Sequence, residues 1–391
     1  MILMRMPKLT LLAFVFGMLM TQCTEKENSP FSIRWTSDIE MPGENNLPNI
    51  GVAGSFSGIT DGYLVIAGGA NFPNGYPWEG GKKAFSSDIY LYTLQGKKAH
   101  EWQVYKNALP RKIAYGASVS ISGGILCIGG CNSDSCFTDT YIIFMQKNRP
   151  VIKSWIKLPV PLANCSLTKI ENQIFVIGGQ NTVKDACPTN TFLTIDLAAP
   201  EKGWQQLPDF PGKPRAYAVA SAVKDKEDNL IFLLGGRYFN QKKEVEILND
   251  GYKYDNNTRK WEKLKSKFPV MGACGCAIDN NWILLAGGTD GAYLLEEMYL
   301  KKEIEESVNS DSLNYWTKVL AKSQKSNKGF ENIVRYFDWK KDRIAFIDTV
   351  SFAMPLTTGI IIYNNDIYIP SGEIRPGVRT PIVIHGLINR K

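Results

Sequence analysis

"IFVIGG", residues 174–179, is a short β-branched run that stops on a pair of glycines, and the chain repeats it. "YLVIAGG" (63–69), "ILCIGG" (125–130), "IFLLGG" (231–236) and "WILLAGG" (282–288) share the form, and "IYIPSG" (367–372) keeps it with Ser371 in place of the first glycine. An apolar run this short, bounded by a turn signal, reads as a strand buried on both faces. Successive pairs stand mostly about fifty to sixty residues apart, the period of a kelch-type propeller blade.

A second signal runs in phase with the first. Each of the first four glycine pairs is followed by a strand bearing Tyr or Asp, a turn and a tryptophan: "DIYLY" with Trp102, "DTYIIF" with Trp155, "FLTID" with Trp204, "GYKYD" with Trp261. A proline and a new apolar strand follow, as in "YGASVSI" and "AYAVASAV". One blade is therefore four antiparallel strands, with glycines where backbones crowd near the axis and tryptophans in the wider space between blades. Six inner strands give six blades. The last has only "PIVIHGL" after its inner strand, while Trp35 in "FSIRWTSDIEMP" precedes the first blade without one of its own. The strand around Ile33 is thus expected to complete the last blade, making residues 31–391 an all-β, six-bladed propeller with no free edge.

Blade five is too long. The step from Gly288 to Gly372 is 84 residues, and the surplus is charged, free of proline and rich in helix formers, which predicts one or two surface helices over about 294–325. Trp316 becomes a packing residue of that insertion, and Phe346 is expected to take the blade's tryptophan role. An insertion of this size on a rigid scaffold is either a lid over one mouth of the ring, the favoured reading, or an inert excrescence.

The first thirty residues differ in kind. Arg5 and Lys8 precede an apolar run from Leu9 to Met20, the pattern of a signal peptide over residues 1–22. "LMTQC" makes Cys23 the expected lipid-bearing residue of a bacterial lipoprotein, with 23–30 a short linker, although Gln22 departs from the usual small residue there. Lipidation, simple cleavage and a retained anchor all place the protein outside the cytoplasm: exported and periplasmic, or at the outer membrane if lipidated. Loss of Arg5 and Lys8 lowers the formal net charge of +7 by two. The basic residues are scattered rather than gathered in a stripe, which argues against nucleic acid.

Beyond Cys23 the cysteines are Cys127, Cys131, Cys136, Cys165, Cys187, Cys274 and Cys276, an odd set that leaves at least one unpaired within the chain. Cys131 and Cys136 flank "NSDS" and could close a small loop; Cys127 and Cys165 read equally well as small buried residues. "CGC" (274–276) is too cramped for a zinc ribbon and only His100 and His385 offer imidazoles, so no metal and no cofactor are expected. There is no G-x-S-x-G, P-loop or H-E-x-x-H, which leaves acid and base work to carboxylates, tyrosines or lysines.

"SGEIRPGVRTP" (371–381) holds the densest chemistry. Glu373 follows the inner strand's glycine, Pro376 and Gly377 make a turn, and Arg379 returns beside it, which suits an arginine that binds an anion and a glutamate that moves protons; a structural ion pair at a blade corner is the competing reading. Arg215 and Tyr217 in "PRAYAVAS" and Tyr115 in "KIAYGAS" begin strands that line the axis; Arg237 follows one glycine pair, and Asn71 closely follows another. Each of these five either touches substrate or bonds blade to blade.

These segments carry a resemblance. "SGEIRPGVRTP" resembles the G-E-x-K/R-P-G-x-R-T signature of the kelch-type sialic acid mutarotases (N-acetylneuraminate epimerases). "GVAGSFSGITDGYLVIAGGANFP" and "EGGKKAFSSDIYL" resemble the segment that follows the signature in the unpermuted enzymes, so the chain looks like the cyclically permuted group over nearly all of 31–391. The resemblance implies that Glu373 is the catalytic acid/base and Arg379 its companion, facing the carboxylate that sialic acid carries on its anomeric carbon. It implies an acidic sugar as partner, no cofactor, no nucleic acid, and membrane contact only through Cys23. A non-catalytic glycan-binding propeller and a protein-interaction kelch module are the rival functions.

Overall fold

The computed structural model describes residues 29–226, 228–240 and 244–391. The expected signal peptide, Cys23 and residues 24–28 of the linker lie outside them. Among the described residues, no helix is long and apolar enough to cross a membrane.

Six four-stranded antiparallel sheets are the six blades. Their inner strands are the glycine-pair runs, Tyr63–Ala67, Gly124–Ile128, Gln173–Ile177, Asp228–Leu234, Trp282–Ala286 and Asp366–Pro370. Each is apolar at successive residues because both of its faces are covered. In blade one, Val65 and Ala67 pack toward Ile125 and Cys127 of blade two, while Leu64 and Ile66 pack toward Tyr368 and Val383 of blade six. Every pair of neighbouring blades shares such a cluster, so the core is divided among the blade interfaces. Fully burying one such side chain is worth about 1.5–3 kcal/mol. Trp204 and Trp261 fill the outer part of this space, donating their indole N–H to the Ile156 and Pro208 carbonyls at 3.0 and 3.1 Å.

Closure follows the expectation. Blade six has the order Phe31–Glu40, Ile382–Arg390, Asp366–Pro370, Ile361–Tyr363, so its outer strand comes from the other end of the chain. Phe31 and Ile33 are buried in the interface with blade five.

The glycine pairs have positive φ throughout, from 60° to 103° in blades one to five. Close approach requires them too: a Cβ on Gly129 would lie 2.2 Å from the Leu162 carbonyl oxygen of the next blade. Ser371 adopts the same conformation with φ 55°. Its buried hydroxyl lies 2.6 Å from the Thr380 carbonyl and 2.9 Å from that of Val52, and accepts the Val52 N–H at 2.9 Å. The serine thus ties blade six to the start of blade one, a role its small size alone did not announce.

Two details differ from the sequence reading. Phe346 does not take the tryptophan role: a register shift between Val334 and Arg335 turns it outward, where it is 39% exposed. Trp339 and Ile344 pack against the interface of blades four and five instead. The described cysteines are free thiols. Cys131 and Cys136 do meet, as bridge partners; a hydrogen bond from Cys131 holds the Cys136 thiol below its ordinary pKa.

The insertion is a helical hairpin, α1 (Ala292–Glu305) and α2 (Ser310–Ser326), with Asn309 capping α2 through the Ser312 N–H. Trp316 packs on Tyr299 and Tyr315 within it.

Candidate active site

A ring of backbone defines the site. Just before each leading strand, the strand nearest the axis in its blade, stands one residue in the left-handed region: Gly54, Tyr115, Asn164, Tyr217, Gly272 and Thr357, with φ between 52° and 69°. Five hydrogen bonds of 2.6–3.2 Å link these six residues around the axis, each N–H donating to the carbonyl of the preceding member: Thr357 to Gly54, Gly54 to Tyr115, Tyr115 to Asn164, Asn164 to Tyr217, Tyr217 to Gly272, acceptor first. Four of the six are not glycine, and each costs about 1–2 kcal/mol of backbone strain, which the ring of bonds offsets.

The ring separates two cavities. One, of about 550 Å³, runs down the axis between the leading strands and is walled by small and hydroxyl residues such as Ser57, Ser118, Ser166 and Ser221, with Lys169. The other, of about 820 Å³, lies on the opposite side of the ring and gathers the charged chemistry: Lys83, Arg237, Glu297, Lys301, Glu373 and Arg379. Tyr115, Asn164, Tyr217 and Thr357 form its floor.

A second circle of positions builds its wall. The residue after each glycine pair forms an isolated bridge to the residue before the ring position: Ala70 to Ala53, Cys131 to Ala114, Gln180 to Ala163, Arg237 to Ala216, Thr289 to Met271 and Glu373 to Leu356. All of these wall residues except Ala70 line the larger cavity. Glu373 and Arg237 therefore hold equivalent places, in blades six and four.

Glu373 begins a hairpin, Glu373–Arg375 with Val378–Arg379, turned at Gly377. Glu373 and Arg379 are register partners. Oε1 of Glu373 accepts the Gly377 N–H at 2.8 Å and Nη1 of Arg379 at 2.9 Å. Both bonds end on Oε1, which leaves Oε2 for the cavity. The Arg379 side chain is 3% exposed and its guanidinium lies 4.7 Å from the centre of the Phe72 ring. Arg237 lies 4.7 Å over the Tyr217 ring. Burial pushes the Tyr217 hydroxyl up to about 12, so it stays a proton-bearing donor at neutral pH.

The helical hairpin covers one side of this cavity with Tyr293, Leu294 and Glu297 of α1 and Leu320 and Gln324 of α2. It is tied to the Glu373 hairpin: Nη1 of Arg375 donates to the Lys325 and Asn327 carbonyls at 3.0 and 3.3 Å, at the C-terminal end of α2.

Of the residues singled out in the sequence, Glu373, Arg379, Arg237, Tyr115 and Tyr217 meet in the larger cavity. Arg215 does not line it. Its side chain is fully buried, paired with Asp250 at 2.7 Å and donating to the Gly235 carbonyl at 3.0 Å; both partners belong to blade four, whose leading strand Arg215 precedes, so it is a structural bonder within that blade and neither touches the cavity nor links two blades. Asn71 does not line the cavity either; its Nδ2 donates to the Gly51 carbonyl at 3.1 Å. Asn164, Thr357, Gln180 and Lys83 were missed. Aligning the blades reveals the first two: "AYG", "ANC", "AYA" and "LTT" put Asn164 and Thr357 in the column of Tyr115 and Tyr217.

Fold and site together define a kelch-type six-bladed propeller with a carboxylate and guanidiniums in a cavity at one axial mouth. Within that class the chain belongs to the N-acetylneuraminate epimerase family, whose model matches residues 17–149 and 155–391. It is similar to the N-acetylneuraminate epimerase of Vibrio cholerae, 30% identical over 198 residues, 49% of this chain and 50% of that one. It is also similar to the protein of that name in Haemophilus influenzae, 27% identical over 215 residues, 51% and 52% of the two chains. The chain spans about half the length of the curated relatives it matches. A solved structure, "Structure of YjhT", superposes with a TM-score of 0.58 at 15% identity, covering 90% of this chain and 99% of that one, a likeness of fold.

Proposed function

We propose that the protein is a mutarotase that accelerates interconversion of the α and β anomers of N-acetylneuraminate. The observation that carries this reading is the hydrogen-bonded Glu373–Arg379 pair in the larger cavity, with Oε2 of Glu373 unengaged. Oε2 removes the anomeric hydroxyl proton; the bond from the anomeric carbon to the ring oxygen breaks as that oxygen takes a proton, and a ketone forms. Rotation and reversal of the same steps close the ring on the other face. One carboxylate, through a water, serves both transfers. Arg379 and the Gly377 N–H fix Glu373 in place.

Half-length matches to relatives, beside a nearly whole-length match to a solved propeller, support a cyclic permutation of blades. Export through residues 1–22 belongs to the same proposal: a mature chain beginning at a diacylated Cys23 is the mass expected from the membrane fraction, and an intact Met1 counts against it.

The test starts from sialic acid released as the α anomer and follows the anomer ratio by proton NMR. Wild type shortens the approach to equilibrium, and Glu373→Gln loses about 10²–10⁴ of the acceleration. Wild type no faster than buffer refutes the activity; a variant equal to wild type refutes the role of Glu373.

A further inference from the structure

Resting on that reading, we infer that Arg237, rather than Arg379, receives the substrate carboxylate. The two arginines are in different states. Arg379 is already committed: Nη1 holds Glu373, the charge is neutralised by it, and the side chain is nearly sealed. A second carboxylate at Arg379 would compete for that guanidinium and sit against Glu373, like charge on like charge. Arg237 lines the same cavity and forms no ion pair with any carboxylate of the described residues; both arginines have a buried Nε without a hydrogen-bond partner, so the difference between them is the Glu373 pair that only Arg379 makes. A guanidinium has five N–H donors in a fork that matches a carboxylate, and in a concave site it calls for an anion.

The geometry suits the chemistry of one carbon. In the substrate, the carboxylate and the reacting hydroxyl share the anomeric carbon, so the anion receptor and the proton carrier must flank the same point. Arg237 and Glu373 occupy equivalent wall positions two blades apart, both facing the cavity. Tyr217 lies on the floor beneath Arg237, within electrostatic reach of both Arg237 and Glu373. The Tyr217 ring, 4.7 Å from the Arg237 guanidinium, gives it a cation–π contact that restrains the side chain. Of the other cations in this cavity, Lys301 is paired with Glu297 at 2.9 Å, and Lys83 lies against the Tyr115 ring at 5.2 Å as a point charge without a fork.

The test uses two locked ligands, the methyl ketoside of N-acetylneuraminate and its methyl ester, titrated by calorimetry into the whole protein. Wild type binds the acid about 10- to 100-fold more tightly than the ester. Arg237→Met brings the acid down to the ester's affinity and leaves the ester within about threefold, whereas Arg379→Met keeps the acid's advantage. Arg237→Lys, which retains the charge without the fork, keeps part of that advantage and serves if the methionine variant does not fold. An acid preference that survives in Arg237→Met, or that Arg379→Met alone abolishes, overturns the assignment. Wild type that binds acid and ester alike overturns it while anomer exchange stands; wild type that binds neither, and exchanges no anomers, overturns the activity as well.

Discussion

Arg215→Met should destabilise the propeller without touching its chemistry. The guanidinium is fully buried between the rings of Phe210 and Tyr252, 5.4 and 5.3 Å from their centres. It donates to both oxygens of Asp250, at 2.7 and 3.3 Å, and to the Gly235 carbonyl at 3.0 Å. Removing one partner of a buried pair typically costs about 3–5 kcal/mol, because the other charge is stranded. Asp250 keeps its bond from the Tyr252 hydroxyl at 2.8 Å and is 19% exposed, which puts the expected loss near the lower end, about 3 kcal/mol. Guanidinium unfolding followed by tryptophan fluorescence measures it; Arg215→Met with Asp250→Asn recovers part of the loss. The pH dependence has a definite sign. Burial pushes the Asp250 carboxyl up, but the Arg215 bond and charge and the Tyr252 bond outweigh it and hold the group below its ordinary value. Its contribution is therefore present above the unfolded pKa, about 3.9, and is lost as pH falls through the lower folded value. The deficit of Arg215→Met is largest at neutral pH and shrinks in acid. A neutral-pH loss below about 1 kcal/mol, or anomer exchange reduced beyond the folded fraction, refutes a purely structural Arg215.

Ser371→Ala should cost about 1–3 kcal/mol, since it leaves the Val52 N–H and two buried carbonyls without their hydroxyl. Ser371→Gly should cost less, because it relieves a positive φ of 55° while losing the same bonds; equal losses in denaturant midpoint would show that φ strain is not part of the balance. Arg375→Ala releases the carbonyls of Lys325 and Asn327, so hydrogen exchange should rise across α2 while the blade strands stay protected. Unchanged exchange there would mean the helical hairpin is held by its packing alone.

The propeller was legible because its core is periodic. A strand covered on both faces must be apolar at every residue, and a backbone crowded against its neighbour must carry glycine, so "IFVIGG" and its copies declare themselves without reference to one another. The closing strand was legible by subtraction: Trp35 had no blade and the last blade had no outer strand. What escaped was set by local irregularity. The shift between Val334 and Arg335 moves Phe346 to solvent, and a one-residue slip in a strand reverses every face that follows. Arg215 escaped for a different reason. It stands two residues before Tyr217, and sequence distance does not reveal that one side chain reaches the cavity while the other turns back toward Asp250.

The site itself is written in columns rather than in motifs. The ring position and the wall position recur once per blade, and both are fixed by backbone needs: a left-handed residue to pass the chain around the axis, and a bridge to hold the turn after the glycine pair. Neither need dictates a side chain, so each column is free to carry function. The wall column reads Ala70, Cys131, Gln180, Arg237, Thr289, Glu373, and the ring column reads Gly54, Tyr115, Asn164, Tyr217, Gly272, Thr357. Six equivalent places thus hold non-equivalent chemistry, and the larger cavity presents a different group from each direction. The columns belong to the blades and do not depend on which blade holds the closing strands. That is why Glu373 and Arg379 can lie near the end of the chain and still face Arg237 across one cavity.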